Sequence, residues 1–89
     1  MSKRIVVLGG AESGTGAAVL AKLQGFDVFL SDMSNIAPAF INTLNDYGIA
    51  FEQGQHTADL ICNATEIIKS PGIPNKAPII QQIITLQIP

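Results

Sequence analysis

The sequence predicts an α/β fold, a parallel sheet layered between helices, and three observations carry that reading. Residues 4–16, Arg-Ile-Val-Val-Leu-Gly-Gly-Ala-Glu-Ser-Gly-Thr-Gly, run from an apolar strand through a glycine-rich turn into an alanine-rich helix. Short apolar runs and amphipathic stretches then alternate along the chain, which implies parallel strands joined by right-handed crossovers. The 89 residues hold one small domain and two βαβ units, but not a complete two-substrate enzyme.

Each element follows from local chemistry. Ile5–Leu8 is apolar and rich in β-branched residues, as suits a strand buried on both faces. Glu12 or Ser13 starts the first helix, Ala17, Leu20, Ala21 and Leu23 give its expected apolar face, and Gly25 stands where a C-cap prefers glycine. Asp27–Leu30 is the second strand, closing with Ser31-Asp32. Met33–Pro38 is a loop or helix entry, since Pro38 is tolerated in a first turn. The second helix then reaches Tyr47, with Phe40, Leu44 and Tyr47 on one side and Gly48 as its cap. Residues 49–52 form a third strand, Gly54-Gln55-His56 a loop, and Thr57 the N-cap of a helical turn over Ala58–Ile61. Thr65–Lys69 is the fourth strand, and Ser70-Pro71-Gly72-Ile73-Pro74 turns the chain off its end. Pro78–Leu86 is a last helix, with apolar Ile79, Ile80, Ile83, Ile84 and Leu86. This order makes the domain Rossmann-like, three layers with a mostly parallel sheet. A helix followed by Ile88-Pro89 reads as the approach to another strand, so the chain is expected to be the N-terminal piece of a longer protein.

Composition narrows the function classes. Hydrophobic residues make up 47% and charged residues 13%, so part of the surface is expected to be covered by a neighbouring domain or a second copy. The net charge is −2, and Lys3, Arg4, Lys22, Lys69 and Lys76 are scattered, which argues against nucleic acid and anionic membranes as partners. Cys62 is the only cysteine, so no intrachain disulfide forms and a reducing compartment is expected. Ile5–Leu8 is too short for a signal peptide, and no stretch approaches transmembrane length. A cytoplasmic location is expected.

In an open parallel sheet, ligands bind in the crevice outside the carboxyl ends of the strands. Gly9–Gly16, Asp32–Ser34 and Ser70–Gly72 all arrive there. Backbone N–H groups around Glu12, Ser13 and Gly14, with the Ser13 hydroxyl, suit a phosphate, and the Glu12 side chain must then point away. Gly9, Ala11 and Gly14 keep the dinucleotide spacing, but Ala11 replaces the middle glycine and its methyl narrows the approach. Asp32 follows Gly9 by about 20 residues, where an acidic residue meets a ribose hydroxyl; it equally suits a cap on the next helix. Ser70-Pro71-Gly72 offers a hydroxyl, a rigid φ and a glycine that permits close ligand approach, or forms an ordinary turn. His56 has no second histidine or nearby cysteine for a metal and reads as a loop residue, while Cys62 reads as inert core. No nucleophile–base pairing and no Gly-x-x-x-x-Gly-Lys-Ser/Thr loop is visible, so these residues describe a nucleotide-phosphate binding module.

Ile5–Gly16, Phe29-Leu30-Ser31-Asp32, Gly54-Gln55-His56 and Lys69–Pro74 together resemble the N-terminal domain of the Mur ligase family, in the branch that adds D-glutamate during peptidoglycan synthesis. The likeness covers essentially the whole chain, and Ser-Pro-Gly-Ile-Pro is its most discriminating motif. The resemblance implies a domain that holds the UDP part of UDP-N-acetylmuramoyl-L-alanine. Glu12, Ser13 and Gly14 would face the diphosphate, Asp32 and Met33 would lie at the uridine, and Ser70, Pro71 and Gly72 would close the pocket. The chain departs from the pattern at Gly10-Ala11, where Ala-Gly is more typical. Met33 and Ser34 also replace hydrogen-bonding or basic residues of some relatives, which leaves uracil to the backbone. For the complete enzyme the resemblance implies ATP and Mg²⁺, which activate a carboxylate to the acyl phosphate that the D-glutamate amine attacks. Those sites belong to central and C-terminal domains, so no cofactor and no ligase activity is expected of this stretch alone. A regulatory NAD(H)-binding module is the alternative that the glycine spacing and Asp32 allow.

Overall fold

The computed structural model describes residues 3–89. Eight elements follow in strict alternation: β1 (Arg4–Leu8), α1 (Glu12–Leu23), β2 (Asp27–Asp32), α2 (Pro38–Asp46), β3 (Ala50–Gln53), α3 (Ala58–Ile61), β4 (Glu66–Lys69) and α4 (Pro78–Thr85). The four strands form one sheet in the order β3-β2-β1-β4, and every pairing is parallel. The expected α/β architecture is therefore present, with all rather than most of its strands parallel.

Alternation along the central strand builds the layers. Ile5 and Val7 point into one apolar cluster with Val28, Leu30, Ala18, Ala21 and Leu44, which seats α1 and α2. Val6 and Leu8 point the other way, joining Phe29, Ile61, Ile79, Ile80 and Ile83 under α3 and α4. A strand buried on both faces needs no polar alternation, and β1 and β2 show none until Ser31. Among the described residues no helix is long and apolar enough to cross a membrane.

Two helical faces differ from expectation. Helix α1 buries Thr15, Ala18 and Ala21, whereas Leu20 and Leu23 are exposed. The glycine turn sets this phase: a Cβ on Gly14 would lie 1.8 Å from the Gly9 carbonyl oxygen, so the helix rides too close to β1 for leucines to fit beneath it. In α2, Leu44 is buried and Phe40 half-buried as expected, but Tyr47 falls at the C-cap and is exposed. Thr57 occupies the N-cap of α3 without a capping bond, and its hydroxyl donates to Glu52. Cys62 is half-buried beside Gln82.

The two ends of the sheet are finished differently. At the amino end, Arg4 donates to Asn63 Oδ1 at 2.9 Å, Asp27 Oδ2 at 3.0 Å and the Leu60 carbonyl at 2.7 Å, and lies over the Phe29 ring. One side chain thus ties β1 to β2, to α3 and to the α3–β4 connection. At the open edge of β4, the Ile67 N–H donates to the carbonyl of Pro89 at 2.9 Å, so the last residues lie along that strand.

Candidate functional site

The carboxyl end of the sheet gathers the three expected segments, and contacts of the glycine turn hold them together. Gly9 has φ +112°, and a Cβ there would sit 2.8 Å from Ser70 Cβ. Gly10 has no such φ, but a Cβ would press Ile36 at 2.9 Å and Leu30 at 3.1 Å. Small residues are required at 9, 10 and 14 to let β1, β2 and β4 deliver their loops to one place. Gly16 is different: a Cβ there would meet nothing within 4 Å.

Ala11 is the N-cap of α1, with φ −80° and ψ −167°, an extended conformation that alanine adopts without strain. It supplies no side-chain cap. The first acceptor bond inside the helix runs from the Thr15 N–H to the Ala11 carbonyl, and the N–H groups of Glu12, Ser13 and Gly14 bond to nothing among the described residues. Glu12 and Ser13 are exposed and Gly14 half-buried. A helix of 12 residues therefore opens onto the site with three free donors and the positive end of its dipole. That arrangement suits an anion.

Asp32 braces the turn. Its Oδ2 accepts the Gly10 N–H at 2.7 Å and its Oδ1 accepts the Ser34 N–H at 2.9 Å. Both oxygens therefore face main-chain donors of the turn and of its own loop, and Asp32 does not cap the next helix as expected, since the N-cap of α2 is Ala37, with no side-chain bond. The β2–α2 loop is held again by Gln53, whose Oε1 accepts the Ile36 N–H at 2.7 Å, and by the Gly54 N–H, which reaches the Ser34 carbonyl at 3.2 Å. Met33 stands exposed at the tip of this loop. Gly10, Ala11, Asp32, Asn35, Ile36, Ala37 and Phe40 line a shallow groove of about 180 Å³ beside the turn.

The third segment starts where the Ser70 N–H donates to the Leu8 carbonyl at 2.9 Å, continuing the β1–β4 pairing. Ser70 is half-buried against Gly9, and its Oγ accepts the Gly72 N–H at a long 3.4 Å. Pro71 and Gly72 are exposed. Lys69 folds back to the Ile73 carbonyl at 2.8 Å, which closes the loop. Thus Gly9 meets Ser70 and Gly10 meets Asp32, while Met33, Pro71 and Gly72 are exposed at the border of the site.

Sequence reading missed a second polar cluster at this end. Ser31, completely buried, places its Oγ 2.8 Å from Glu52 Oε2, 2.7 Å from His56 Nδ1 and 3.1 Å from the Gln55 carbonyl. Glu52 also accepts the Thr57 hydroxyl at 2.6 Å and the Thr57 N–H at 2.8 Å. Burial works against its charge, but the Thr57 and Ser31 bonds, helped by His56, hold its carboxyl below the usual range. Burial pushes the His56 imidazole below its ordinary value, against the pull of Glu52 and Asp32. The only sequence signal was Ser31, a polar residue directly after the apolar run Val28–Leu30 of a central strand. Among the described residues no group of three or more His, Cys, Asp or Glu is placed to hold a metal ion.

With this geometry in hand, comparison with known proteins is decisive. The family model of the Mur ligase MurD-like N-terminal domain matches residues 3–89. The chain belongs to that family. It is 58% identical over 81 residues to the UDP-N-acetylmuramoylalanine–D-glutamate ligase of Bacteroides fragilis, covering 91% of this chain and 18% of that protein. The Cytophaga hutchinsonii ligase of the same name is 57% identical over 83 residues, covering 93% and 18%. The chain thus spans about a fifth of the length of these relatives, corresponding to their N-terminal region. Among solved structures, a pseudomurein peptide ligase type C from Methanothermus fervidus superposes with a TM-score of 0.75 at 29% identity, over 96% of this chain and 17% of that one. The Neisseria meningitides UDP-N-acetylmuramate:L-alanyl-gamma-D-glutamyl-meso-diaminopimelate ligase shares the fold at 22% identity, with a TM-score of 0.84 over 100% of this chain and 28% of that one. This is a Mur ligase N-terminal domain of the type found in ligases of peptidoglycan synthesis.

Proposed function

We propose that the carboxyl end of this sheet binds the UDP portion of UDP-N-acetylmuramoyl-L-alanine, on behalf of a D-glutamate-adding ligase. The observation that carries this reading is the uncapped start of α1, where the N–H groups of Glu12, Ser13 and Gly14 find no acceptor among the described residues. A diphosphate supplies acceptors and negative charge at the positive end of a helix. The Glu12 carboxylate is exposed and free to turn away. Uridine would lie between the Asp32–Ser34 loop and the Ser70–Gly72 turn, with Asp32 as the brace of its pocket.

A dinucleotide is disfavoured by the same geometry. Ala11 stands where that fingerprint wants glycine, and its methyl narrows the approach of a pyrophosphate. The relatives carry about four-fifths of their length beyond the matched region. ATP, Mg²⁺ and the D-glutamate site are assigned to that remainder, and the working location of the whole enzyme to the cytoplasm. Calorimetric titration of the chain with UDP, UDP-N-acetylmuramoyl-L-alanine and NADH tests the reading. Binding of both UDP compounds but not NADH is expected. Heat from NADH alone would transfer the site to the dinucleotide class.

A further inference from the structure

The Ser31 cluster fixes a proton, and the proton has a consequence for the site. A serine hydroxyl carries one hydrogen, yet Ser31 Oγ faces Glu52 Oε2, the Gln55 carbonyl and His56 Nδ1. The first two partners can only accept. Glu52 is an ionised carboxylate collecting donors from Thr57 and Ser31, so the Ser31 hydrogen goes to it. Nδ1 at 2.7 Å must then be the donor. With Nδ1 protonated, the neutral ring carries its lone pair on Nε2.

Nε2 has no hydrogen bond among the described residues, and no buried side-chain nitrogen or oxygen lacks a partner, so Nε2 meets solvent. Its position is at the carboxyl end of the sheet. Ser31 precedes Asp32, the Ser31 carbonyl accepts the Gly9 N–H at 2.9 Å, and the Gly54 N–H bonds the Ser34 carbonyl. Ser31 shares its face of the sheet with Leu8 and Phe29, whereas the glycine turn leads to α1 on the other face. Through Ser31, His56 is therefore held one residue from Asp32, the brace of the glycine turn.

We infer that His56 is a specificity-determining residue of the same site: Ser31 and Glu52 lock it as the Nδ1–H tautomer, so that Nε2 accepts a hydroxyl or imide N–H of the bound nucleotide. The inference rests on the nucleotide reading above. It also explains why a completely buried serine beside a histidine and a glutamate is no nucleophile: the serine is the middle of the chain, with its hydrogen committed to the acid.

His56 is the only histidine, so its ring nitrogens can be read without ambiguity in a ¹⁵N-labelled chain. Long-range ¹H–¹⁵N correlation at neutral pH is expected to show a hydrogen-bearing Nδ1 and a pyridine-like Nε2. In Ser31→Ala the ring should revert to the Nε2–H form, with UDP affinity falling about five-fold, the worth of one hydrogen bond. Saturating UDP should shift Nε2 of the unmodified chain off its pyridine-like position. A pyrrole-like Nε2 before any ligand is added overturns the tautomer. UDP that moves the Gly14 and Gly72 amides but not Nε2 overturns the contact and leaves the UDP site standing. UDP that moves no amide removes the nucleotide reading and the ligand contact with it, a different failure.

Discussion

The two ends of one sheet receive the same strands and treat their polar groups in opposite ways. At the amino end, Arg4 satisfies three acceptors from three parts of the chain. At the carboxyl end, α1 begins with three main-chain donors that no group among the described residues satisfies, although Asp32 stands close enough to bond Gly10. Folding alone would favour a serine or aspartate N-cap at position 11, a change commonly worth about 1 kcal/mol, yet alanine stands there. Polar groups closed among themselves hold a fold, whereas polar groups left open in a braced frame are available to a ligand.

Substitutions can break this contrast, and the largest effect is expected at Gly14. Gly14→Ala would drive a methyl into the Gly9 carbonyl, so urea denaturation should show a loss of about 3 kcal/mol and no UDP binding. Arg4→Met keeps the apolar stem but removes the hydrogen bonds; it should cost about 2 kcal/mol in the same assay and leave UDP affinity unchanged. Were Arg4→Met to weaken UDP binding as strongly as it weakens the fold, the two ends would not be separate.

Asp32→Ala sharpens the comparison from the other side. It strips the acceptor from the N–H of exposed Ser34 and from that of buried Gly10, so about 1–2 kcal/mol of stability should go while UDP affinity falls further than stability predicts. The smallest change is at Gly16, where a Cβ has open space on a helix; Gly16→Ala should stabilise by about 0.5–1 kcal/mol. Equal damage from alanine at 14 and 16 would mean the turn is not the tight contact described.

Acid should act on the carboxyl end. Folding holds both His56 and Glu52 below their ordinary values of 6.5 and 4.5, so the unfolded chain binds more protons in each window. Stability is then fully present above pH 6.5 and declines as pH falls, first as the unfolded histidine charges and again below 4.5 as Glu52 protonates. Glu52→Gln should flatten the lower part of that profile in thermal melts at successive pH values.

Much of this was legible in the sequence, and the omissions have physical causes. The alternation of elements, the glycine turn and the Ser70 turn are local signals, and strand β1 announces its double burial by composition alone. Helix α1 was misphased because periodicity favours its largest apolar residues, while Gly14 demands that its smallest ones, Ala18 and Ala21, face the sheet. Leu20 and Leu23 are consequently left on the surface. Asp32 caps no helix but braces the glycine turn, through two main-chain bonds that no spacing rule contains. The Ser31 cluster depends on the β2–β3 register, which sets Ser31 opposite Glu52; only a folded sheet makes them neighbours. His56 looked like an idle loop residue for the same reason.

The central claim is that open donors at the carboxyl end form a UDP site while the closed amino end does not take part. Backbone amide mapping of the ¹⁵N-labelled chain during UDP titration tests it directly. The account predicts saturable shifts at Glu12, Ser13, Gly14 and Gly72, with Arg4 and Asn63 unmoved. Shifts confined to the amino end, or amides at 12–14 that respond to NADH and ignore UDP, would contradict it.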